Sequence, residues 1–478
     1  MMTTVGIIST AFIILYVIIG IWSARTARKS IDEYLAAGRR IGMLVGGFAL
    51  YAAFCSAMVY VGLPGMTYSL GLNATWQITL GAALGFGLLY FLLAEPVRRF
   101  AQFTLVDYLA ARYNHLAIRI LVALFICGIF TFAIVPQIIG AGLMIGNTFG
   151  VSLRTGEIIF AVVLLLYVSI GGMRAVTFSD AFQGIIMFIP LMVVGLLAIA
   201  YFGGITPMIA QAAQNNPKIV EPTLPLVSYL GLVFGIALGQ SSAAHIIMRI
   251  SSAASPPVAR TTVVVGVVLA VLMYFLASNI LGIAAWAVSP GLSKPDNALW
   301  AVMEKIIPQW LFGWIIAGLV AAAISTASAM LMGSVASLVS DIYYRVLNPN
   351  ASPGELYWRG IVITWALGVA AVLVSLFASQ QVSWFVAIQS QALGATFFFP
   401  LVLGIWWKRT TTAGAISGMV GGLGSFILFT ALKILPLYGP VVPAIIISLC
   451  LTVLISLLTQ PPPVEVVEAC CTKLHQRE

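Results

Sequence analysis

The chain alternates long apolar runs with short polar segments along its whole length. A run of about 20 apolar residues can cross a bilayer as a helix. The pattern predicts an all-α polytopic membrane protein with thirteen transmembrane helices, forming one transmembrane domain over residues 1–460 and leaving a cytoplasmic tail over 461–478. The predicted spans are 4–24, 42–69, 72–94, 120–147, 156–172, 179–203, 225–247, 262–288, 311–340, 360–379, 384–406, 412–434 and 439–459.

Composition supports the membrane assignment. Hydrophobic residues make up 61% of the 478 residues and charged residues only 8%, whereas a soluble domain carries about 25% charged residues. Transmembrane β-barrels show weak alternation rather than unbroken apolar runs, so that class is excluded. No small-residue cleavage site follows the first span, and we therefore expect it to be a retained helix rather than a signal peptide.

The net charge of +9 reflects topology and not a nucleic-acid partner. With the N-terminus outside, most basic residues fall in loops that face the cytoplasm, as the positive-inside rule requires. We therefore expect a multi-pass protein of the bacterial inner membrane with a cytoplasmic C-terminus. The basic residues left on the outward side are Arg154, Lys218, Lys294, Lys305 and Lys433.

The sequence carries no enzyme or ATPase signature. Its 3 histidines lack metal-ligand spacing, and no phosphate-binding loop of the GxxxxGK[ST] type is present. Cys55, Cys127 and Cys450 lie inside predicted spans, while Cys470 and Cys471 lie on the cytoplasmic tail, where we expect reduced thiols; an unmodified pair is favoured over an acylated one. An ion gradient is then the expected energy source.

Two predicted spans contain helix-breaking residues at matched positions. The second span has Ser56 near its middle and Gly62-Leu63-Pro64-Gly65 after it. Proline frees backbone carbonyls that can coordinate an ion or line a cavity, although an ordinary proline kink is the alternative. The seventh span, five helices later, contains Gly235, Gly239, Gln240, Ser241 and Ser242. Paired interruptions of this kind indicate a transporter binding site.

Further polar side chains fall within the spans. Ser325, Thr326 and Ser328 cluster on the ninth span and could be hard oxygen ligands for Na⁺ or could only promote close helix packing. Asp180 opens the sixth span and is the one carboxylate expected to reach into the bundle, since the other acids fall in loops, tails or span ends. It could pair with Arg174 or form an inner cation-release site. Gln137 and Gln389 could join helices or converge on one cavity.

With these residues in view, the chain resembles the sodium:solute symporter family along nearly its whole length. The segment DEYLAAGR at 32–39 is similar to that family's first-loop signature, and GGMRAVTFSDAFQ at 171–183 is similar to its GG-x-x-A motif. GLPG at 62–65, AAAISTASAML at 321–331 and PLVLGIWWKRTTTAGAISGMVGG at 400–422 also match in order.

The resemblance implies a leucine-transporter-type core with an inverted five-plus-five repeat. The repeats would cover 42–203 and 225–406, preceded by the extra helix 4–24 and followed by two helices over 412–459. It also implies one sodium site and, more weakly, a second one held by Asp180 and Ser328, where Ala329 replaces a serine found in some members. The first site would use the carbonyls of Ala52, Cys55 and Ala322 and the hydroxyls of Ser325 and Thr326.

The substrate expectation rests on the same resemblance. Phe54 and Val59 stand where sugar-transporting members carry Asn and Gln, and Phe54 stands where proline-transporting members carry Asp. GQSSAAHIIMRI at 239–250 is similar to a stretch of pantothenate and short monocarboxylate members, which favours sodium-coupled import of an organic monocarboxylate. The candidate neutral ligands are Ser56, Gln137, Gln240, Ser241, Ser242 and Gln389.

Other functions stay open at this stage. A sodium-coupled symporter for a proline-like amino acid, sialic acid or a sugar is the nearest alternative. A proton-coupled symporter is disfavoured, because the Ser325–Thr326 pair contains no titratable group. A membrane sensor would need more than the short tail, and a channel would not need broken helices around a central site.

Overall fold

A computed structural model describes residues 6, 7, 10, 11, 14, 18, 40–100 and 104–475, without the side chains at 170–179, 278 and 353. The signature segment 32–39 and most of the predicted span 4–24 lie outside these residues, as does the side chain of Arg174. The expectations that rest on them stay predictions.

The described chain is helical. Its first half contains α1 (Met43–Phe54), α2 (Leu63–Leu70), α3 (Leu72–Leu88), α4 (Ala94–Phe100), α5 (Leu105–Tyr113), α6 (Leu116–Phe149), α7 (Leu153–Tyr201) and α8 (Ile205–Asn215). Its second half contains α9 (Leu226–Ser241), α10 (Ala244–Ser251), α11 (Pro256–Tyr274), α12 (Gly282–Val288), α13 (Ala298–Ile306), α14 (Gln309–Ala336), α15 (Pro353–Phe377), α16 (Val382–Trp406), α17 (Thr412–Ala431), α18 (Val441–Leu458), α19 (Val464–Val467) and α20 (Lys473–His475).

Short π-helical segments and one isolated β-bridge complete the secondary structure of the described residues. π-helical segments follow or precede several helices, over Met58–Gly62, Leu89–Leu93, Phe275–Leu281, Ser337–Leu347 and Glu468–Thr472. Extended pairing within 40–100 and 104–475 is limited to an isolated bridge between Ile41 and Ala253.

Polar residues at the helix starts explain where many helices begin. The side chains of Thr104, Ser152, Ser255, Ser352 and Thr411 each accept a hydrogen bond from a backbone N–H in the following first turn. Such caps satisfy amides that have no partner inside the helix. The loops between apolar runs therefore also define the helix boundaries.

Nine helical segments of the described chain are long and apolar enough to cross a membrane, and two bent pairs raise the number to eleven. The predicted spans 156–172 and 179–203 fall within one helix, α7, of which Asp180–Tyr201 meets the span criteria. We predicted thirteen spans. The structure supports a polytopic helical protein with nine to eleven of them in the described part.

The buried fraction of each span shows which helices lie at the centre of the bundle and which lie at its edge. The most apolar window of α14 and its π-helical extension is entirely buried, whereas only 22% of the corresponding window in α15 is buried. α14 therefore lies inside the bundle, and α15 presents most of its apolar surface outward, where lipid would cover it. A hydroxyl on α14 is thus enclosed by protein.

The end of the chain folds back against the helix ends. The Cys471 thiol lies 3.0 Å from the Gly404 carbonyl, and the Tyr108 hydroxyl donates to the Cys470 carbonyl over 3.2 Å. Arg99 donates to the Leu474 carbonyl over 2.8 Å. Both cysteines are buried, and burial raises the pKa of the Cys470 thiol to about 11. These thiols are packed against the bundle rather than displayed on a free tail.

Candidate functional site

The first broken helix interrupts its own hydrogen-bond ladder at Cys55 and Ser56. α1 ends at Phe54, and Cys55 has extended backbone angles of φ −82° and ψ 106°. The chain resumes helical form at Ala57, and the two halves are bent by 57°. Pro64 lies inside the second half, at the start of α2. The break therefore precedes the proline that the sequence indicated as its cause.

Two hydroxyls of α14 face the open carbonyl end of α1. The Ser325 hydroxyl lies 3.0 Å from the carbonyl oxygen of Ala52 and 3.1 Å from that of Ala322. The Thr326 hydroxyl lies 3.5 Å from the Ala52 oxygen. All four residues are buried. Four of the five predicted sodium ligands are therefore neighbours, and Cys55 lies three residues beyond Ala52.

The spacing of these oxygens fits a shared cation. Two oxygens at right angles around a hard cation, each about 2.4 Å from it, are about 3.4 Å apart. The separations from Ala52 to Ser325 and to Thr326, 3.0 and 3.5 Å, bracket that value. Neutral hydroxyl and carbonyl oxygens can thus surround a monovalent cation without a carboxylate.

The other side of the first break is capped by protein groups. The amide oxygen of Gln137 on α6 accepts from the backbone N–H of Ala57 over 3.0 Å. The Ser56 hydroxyl accepts from the N–H of Met58 over 3.2 Å, and the Ser56 carbonyl accepts from the N–H of Val59 over 3.0 Å. The first three amides of this half-helix therefore each have an acceptor.

The second broken helix differs in this respect. α9 and α10 are bent by 42° around Ser242 and Ala243. The carbonyl of Ala243 accepts from the N–H groups of both Ile246 and Ile247. Ala243, the residue before α10, makes no side-chain cap hydrogen bond. Among the described residues, the start of α10 therefore has no side-chain acceptor of the kind that Gln137 and Ser56 supply at the first break.

The predicted polar residues near the second break mostly bond to nearby protein atoms. The hydroxyls of Ser241 and Ser242 donate to the Leu238 carbonyl over 3.1 and 2.7 Å. The Gln240 amide donates to the Ser390 hydroxyl on α16 over 3.0 Å, which ties α9 to α16. The amide oxygen of Gln240 and the amide nitrogen of Gln389 are buried and have no protein partner in the described chain. Both atoms are therefore available to a ligand.

Asp180 is engaged by a residue that the sequence analysis did not pair with it. Its carboxylate forms an ion pair with Arg249 of α10, and both side chains are buried. Ser328, the other residue of the predicted second sodium site, donates to the Ser325 carbonyl over 3.1 Å. Each residue of that predicted site therefore has a protein partner, but the second carboxylate oxygen of Asp180 is buried without a hydrogen bond in the described chain.

Sequence reasoning missed other buried acids. Glu157 on α7 is buried and accepts from the Ser375 hydroxyl over 3.3 Å. Asp107 and Asp341 are also buried and share Arg119, at 3.5 and 2.8 Å. We expected Asp180 to be the one carboxylate inside the bundle, and this expectation was wrong. Glu157 and Asp341 lie at predicted span ends and Asp107 lies in a predicted loop, where the sequence does not show whether a side chain points inward.

A loop between α12 and α13 reaches the start of α16. The carboxylate of Asp296 accepts from the N–H of Val382 over 3.2 Å. It also lies against Gly65, where an added Cβ would be only 2.9 Å from one carboxylate oxygen. Burial raises the pKa of Asp296 to about 6, although the hydrogen bond from Val382 lowers it. No sequence motif indicated this residue.

Comparison with known sequences places the chain among characterised transporters. The chain is 29% identical over 439 residues to the sodium/pantothenate symporter of Escherichia coli (strain K12), covering 89% of this chain and 90% of the relative. It is 28% identical over 483 residues to a sodium/proline symporter of Staphylococcus aureus (strain JH9), covering 95% and 93%. The osmoregulated proline transporter OpuE of Bacillus subtilis (strain 168) is 26% identical over 460 residues, covering 92% of both.

Solved structures share the fold, and a family model matches most of the sequence. A Na⁺-coupled sialic acid symporter in a substrate-bound outward-open state has a TM-score of 0.80 at 17% identity, covering 96% of this chain and 98% of that one. Mhp1, a nucleobase-cation-symport-1 family transporter, has a TM-score of 0.54 at 14% identity, covering 91% and 94%. The sodium:solute symporter family model matches residues 34–422. The chain belongs to the sodium:solute symporter family.

Proposed function

We propose that this chain is a sodium-coupled symporter that imports a small organic solute across the bacterial inner membrane by alternating access. The N-terminus lies outside and the C-terminus in the cytoplasm, as the distribution of basic residues favours. The proposal rests chiefly on one contact. The Ser325 hydroxyl lies 3.0 Å from the Ala52 carbonyl oxygen, at the break of a buried helix. Freed carbonyls at membrane depth are tolerated where they bind an ion.

The proposed sodium site consists of the carbonyls of Ala52, Cys55 and Ala322 and the hydroxyls of Ser325 and Thr326. The ligands contributed by these residues do not titrate in the physiological range, so a metal cation fits better there than a proton. At 100 mV the membrane potential contributes about 2.3 kcal/mol for each sodium, which supports nearly 50-fold solute accumulation.

We propose a single sodium site. A second ion between Asp180 and Ser328 would lie beside the guanidinium of Arg249, which already pairs with the carboxylate, and only one oxygen of Asp180 has no hydrogen bond in the described chain. The ion would also have to replace the hydrogen bond from Ser328 to Ser325. A fixed cation beside a carboxylate lowers the affinity of that carboxylate for another cation, because like charges repel.

We further propose that the solute is an organic monocarboxylate, such as a short-chain acid or pantothenate. In the described chain the start of α10 has no side-chain cap, and the positive end of a helix dipole favours an anionic group. The candidate contacts, Ser56, Gln137, Gln240, Ser241, Ser242 and Gln389, are all neutral. A substrate ammonium would find Phe54 at the first break, packed against Phe86 and Tyr274.

A proline-like amino acid is the second candidate. Two of the relatives named above are proline transporters, with identities close to that of the pantothenate symporter. Family membership therefore does not separate the two substrate classes, whereas direct binding measurements do.

The test measures thermal stability of the purified protein in NaCl against KCl at equal ionic strength, with carboxylates, amino acids and sugars added in turn. A ligand that binds only the folded state raises stability by mass action. We expect Na⁺ but not K⁺ to stabilise the wild type, and a monocarboxylate to add to the effect. Uptake into proteoliposomes under an imposed Na⁺ gradient then identifies the transported solute.

A matched pair of variants assigns the effect to the site. Ser325→Ala/Thr326→Ala should lose the Na⁺ effect. Ser334→Ala should keep it, because Ser334 is a buried serine of the same helix whose hydroxyl has no partner in the described chain. Equal stabilisation by Na⁺ and K⁺, together with a response to a pH step, would replace the sodium assignment with proton coupling.

A further inference from the structure

We infer that Gln137 is a positioning residue whose side-chain oxygen holds the first helix break in register with the sodium site. The inference deepens the proposed function and rests on it. Its starting point is the hydrogen bond in which the Gln137 side-chain oxygen accepts from the N–H of Ala57, at 3.0 Å. A backbone N–H can pair only with the oxygen of the amide group, so the orientation of the side chain follows from the contact.

The surroundings show that this bond is built into the fold. Gln137 is 1% exposed, so no solvent replaces the bond when it is lost. Three residues later, on the same face of α6, Gly140 lies so close that an added Cβ would be 2.8 Å from the Cβ of Ala57. A hydrogen bond and a van der Waals contact from α6 therefore fix the same residue of the broken helix.

The position of Ala57 determines the geometry of the ion site. Ala57 begins the second half of the broken helix, and Ala52 lies five residues earlier, on the other side of the break. Ala52 is held by Ser325 of α14, and Ala57 is held by Gln137 of α6. Two different helices therefore hydrogen-bond to the two sides of the break. If the bond from Gln137 is lost, the backbone carbonyls between Ala52 and Ala57 can move relative to the hydroxyls of α14.

The same contacts explain why Gln137 is not a solute ligand through its oxygen. The oxygen is occupied by Ala57, and the next two amides are occupied by Ser56. This half-helix start is closed to an anionic group. A role in positioning predicts that substitution of Gln137 alters sodium binding even when no solute is present.

The experiment uses Na⁺ alone as the probe. Gln137→Met keeps the length of the side chain but removes the acceptor, and the Na⁺ concentration for half-maximal thermal stabilisation should rise about 10-fold, equivalent to 1.4 kcal/mol. Gln391→Met is the matched control, since Gln391 is also buried and donates to the carbonyls of Gly231 and Tyr438 over 3.3 Å, away from the break. It should lower the melting temperature and leave the Na⁺ midpoint within 2-fold of the wild type.

A second pair of variants tests how α6 positions Ala57, through the packing of Gly140 against that residue. Gly140→Ala adds a methyl group against Ala57 and should raise the Na⁺ midpoint. Gly128→Ala on the same helix should not, because nothing lies within 4 Å of its added Cβ. This pair keeps the inference testable if Gln137→Met does not fold.

A readout without sodium separates this inference from the proposed function. Cys55 is buried at the break, and its labelling by a maleimide in KCl, followed by peptide mass mapping, should be faster in Gln137→Met than in Gln391→Met. Equal labelling rates and equal Na⁺ midpoints in the two variants would overturn the positioning role. If Cys55 labelling rises while the wild type shows no Na⁺ effect, the hinge role stands and the sodium assignment fails.

Discussion

The buried ion pair between Asp180 and Arg249 yields a prediction in which a second substitution restores stability. The perturbations are Arg249→Met, Asp180→Asn and the double variant. The side chains of Asp180 and Arg249 are 0% and 3% exposed, and they join α7 to α10. Methionine matches the aliphatic stem of arginine but has no charge, whereas asparagine keeps one acceptor oxygen for the guanidinium.

The expected magnitudes follow from what each variant leaves behind. Arg249→Met leaves a buried carboxylate without its cation, which costs about 3–5 kcal/mol. Asp180→Asn leaves the buried guanidinium without its counter-charge, and the asparagine oxygen can still accept from it, so we expect a cost of about 3 kcal/mol, at the lower end of the same range. The double variant removes both charges, and replacing a buried pair by neutral groups is often nearly neutral. We therefore expect the double variant to be more stable than Arg249→Met alone.

Thermal unfolding in detergent, followed by intrinsic fluorescence, ranks the four proteins. The expected order from most to least stable is wild type, double variant or Asp180→Asn, and Arg249→Met. A double variant less stable than Arg249→Met would refute the reasoning, because it would mean that the two side chains stabilise the protein independently. Sodium titration of Asp180→Asn adds a functional test: an unchanged midpoint is expected if Asp180 holds Arg249 and no ion.

Two other sites give predictions of different kinds. Because burial holds the pKa of Asp296 near 6, above about 3.9 in the unfolded chain, its contribution to stability is full below pH 3.9 and is lost as pH rises through 6. Asp296→Asn should therefore stabilise the protein at pH 7.5 more than at pH 4.5 in melting experiments, and an equal effect at both values would contradict the raised pKa. Gly239→Ala should abolish folded expression, because its Cβ would lie 1.9 Å from the Ser390 carbonyl oxygen, whereas Gly424→Ala, with nothing within 4 Å, should express normally in a membrane-fraction assay.

The fold was largely predictable, because the bilayer imposes a length and a composition on each helix. The apolar runs coincide with most described helices, including both members of the matched broken pair. The boundary predicted between spans 156–172 and 179–203 is not a helix end, since the polar residues Arg174 and Thr177 lie in a stretch that continues the helix α7. A polar segment can stay helical when all its backbone bonds are internal, which composition alone does not show.

The ligands of the proposed sodium site could be predicted from the sequence, whereas the ion-pair and hydrogen-bond partners of the nearby polar residues could not. Ser325, Thr326 and Ala52 were placed together from the family resemblance, and the structure brings them within 3.5 Å. The pairing of Asp180 with Arg249 was missed, because the two residues are 69 positions apart in sequence and no local pattern connects them. The role of Asp296 depends on a loop folding over α16, which no local pattern records.

The first helix break is positioned by the hydrogen-bond partners of its backbone groups more than by the local sequence. Proline is the strongest local helix breaker, yet the chain stays helical through Pro64, which follows the π-helical segment Met58–Gly62. The chain opens instead at Cys55 and Ser56, where neighbouring helices and Ser56 itself satisfy the freed groups. Gln137 supplies an acceptor on one side, and Ser325 supplies a donor on the other. A helix breaks in a membrane where its broken bonds can be replaced, and in this chain the same replacement bonds build the proposed ion site.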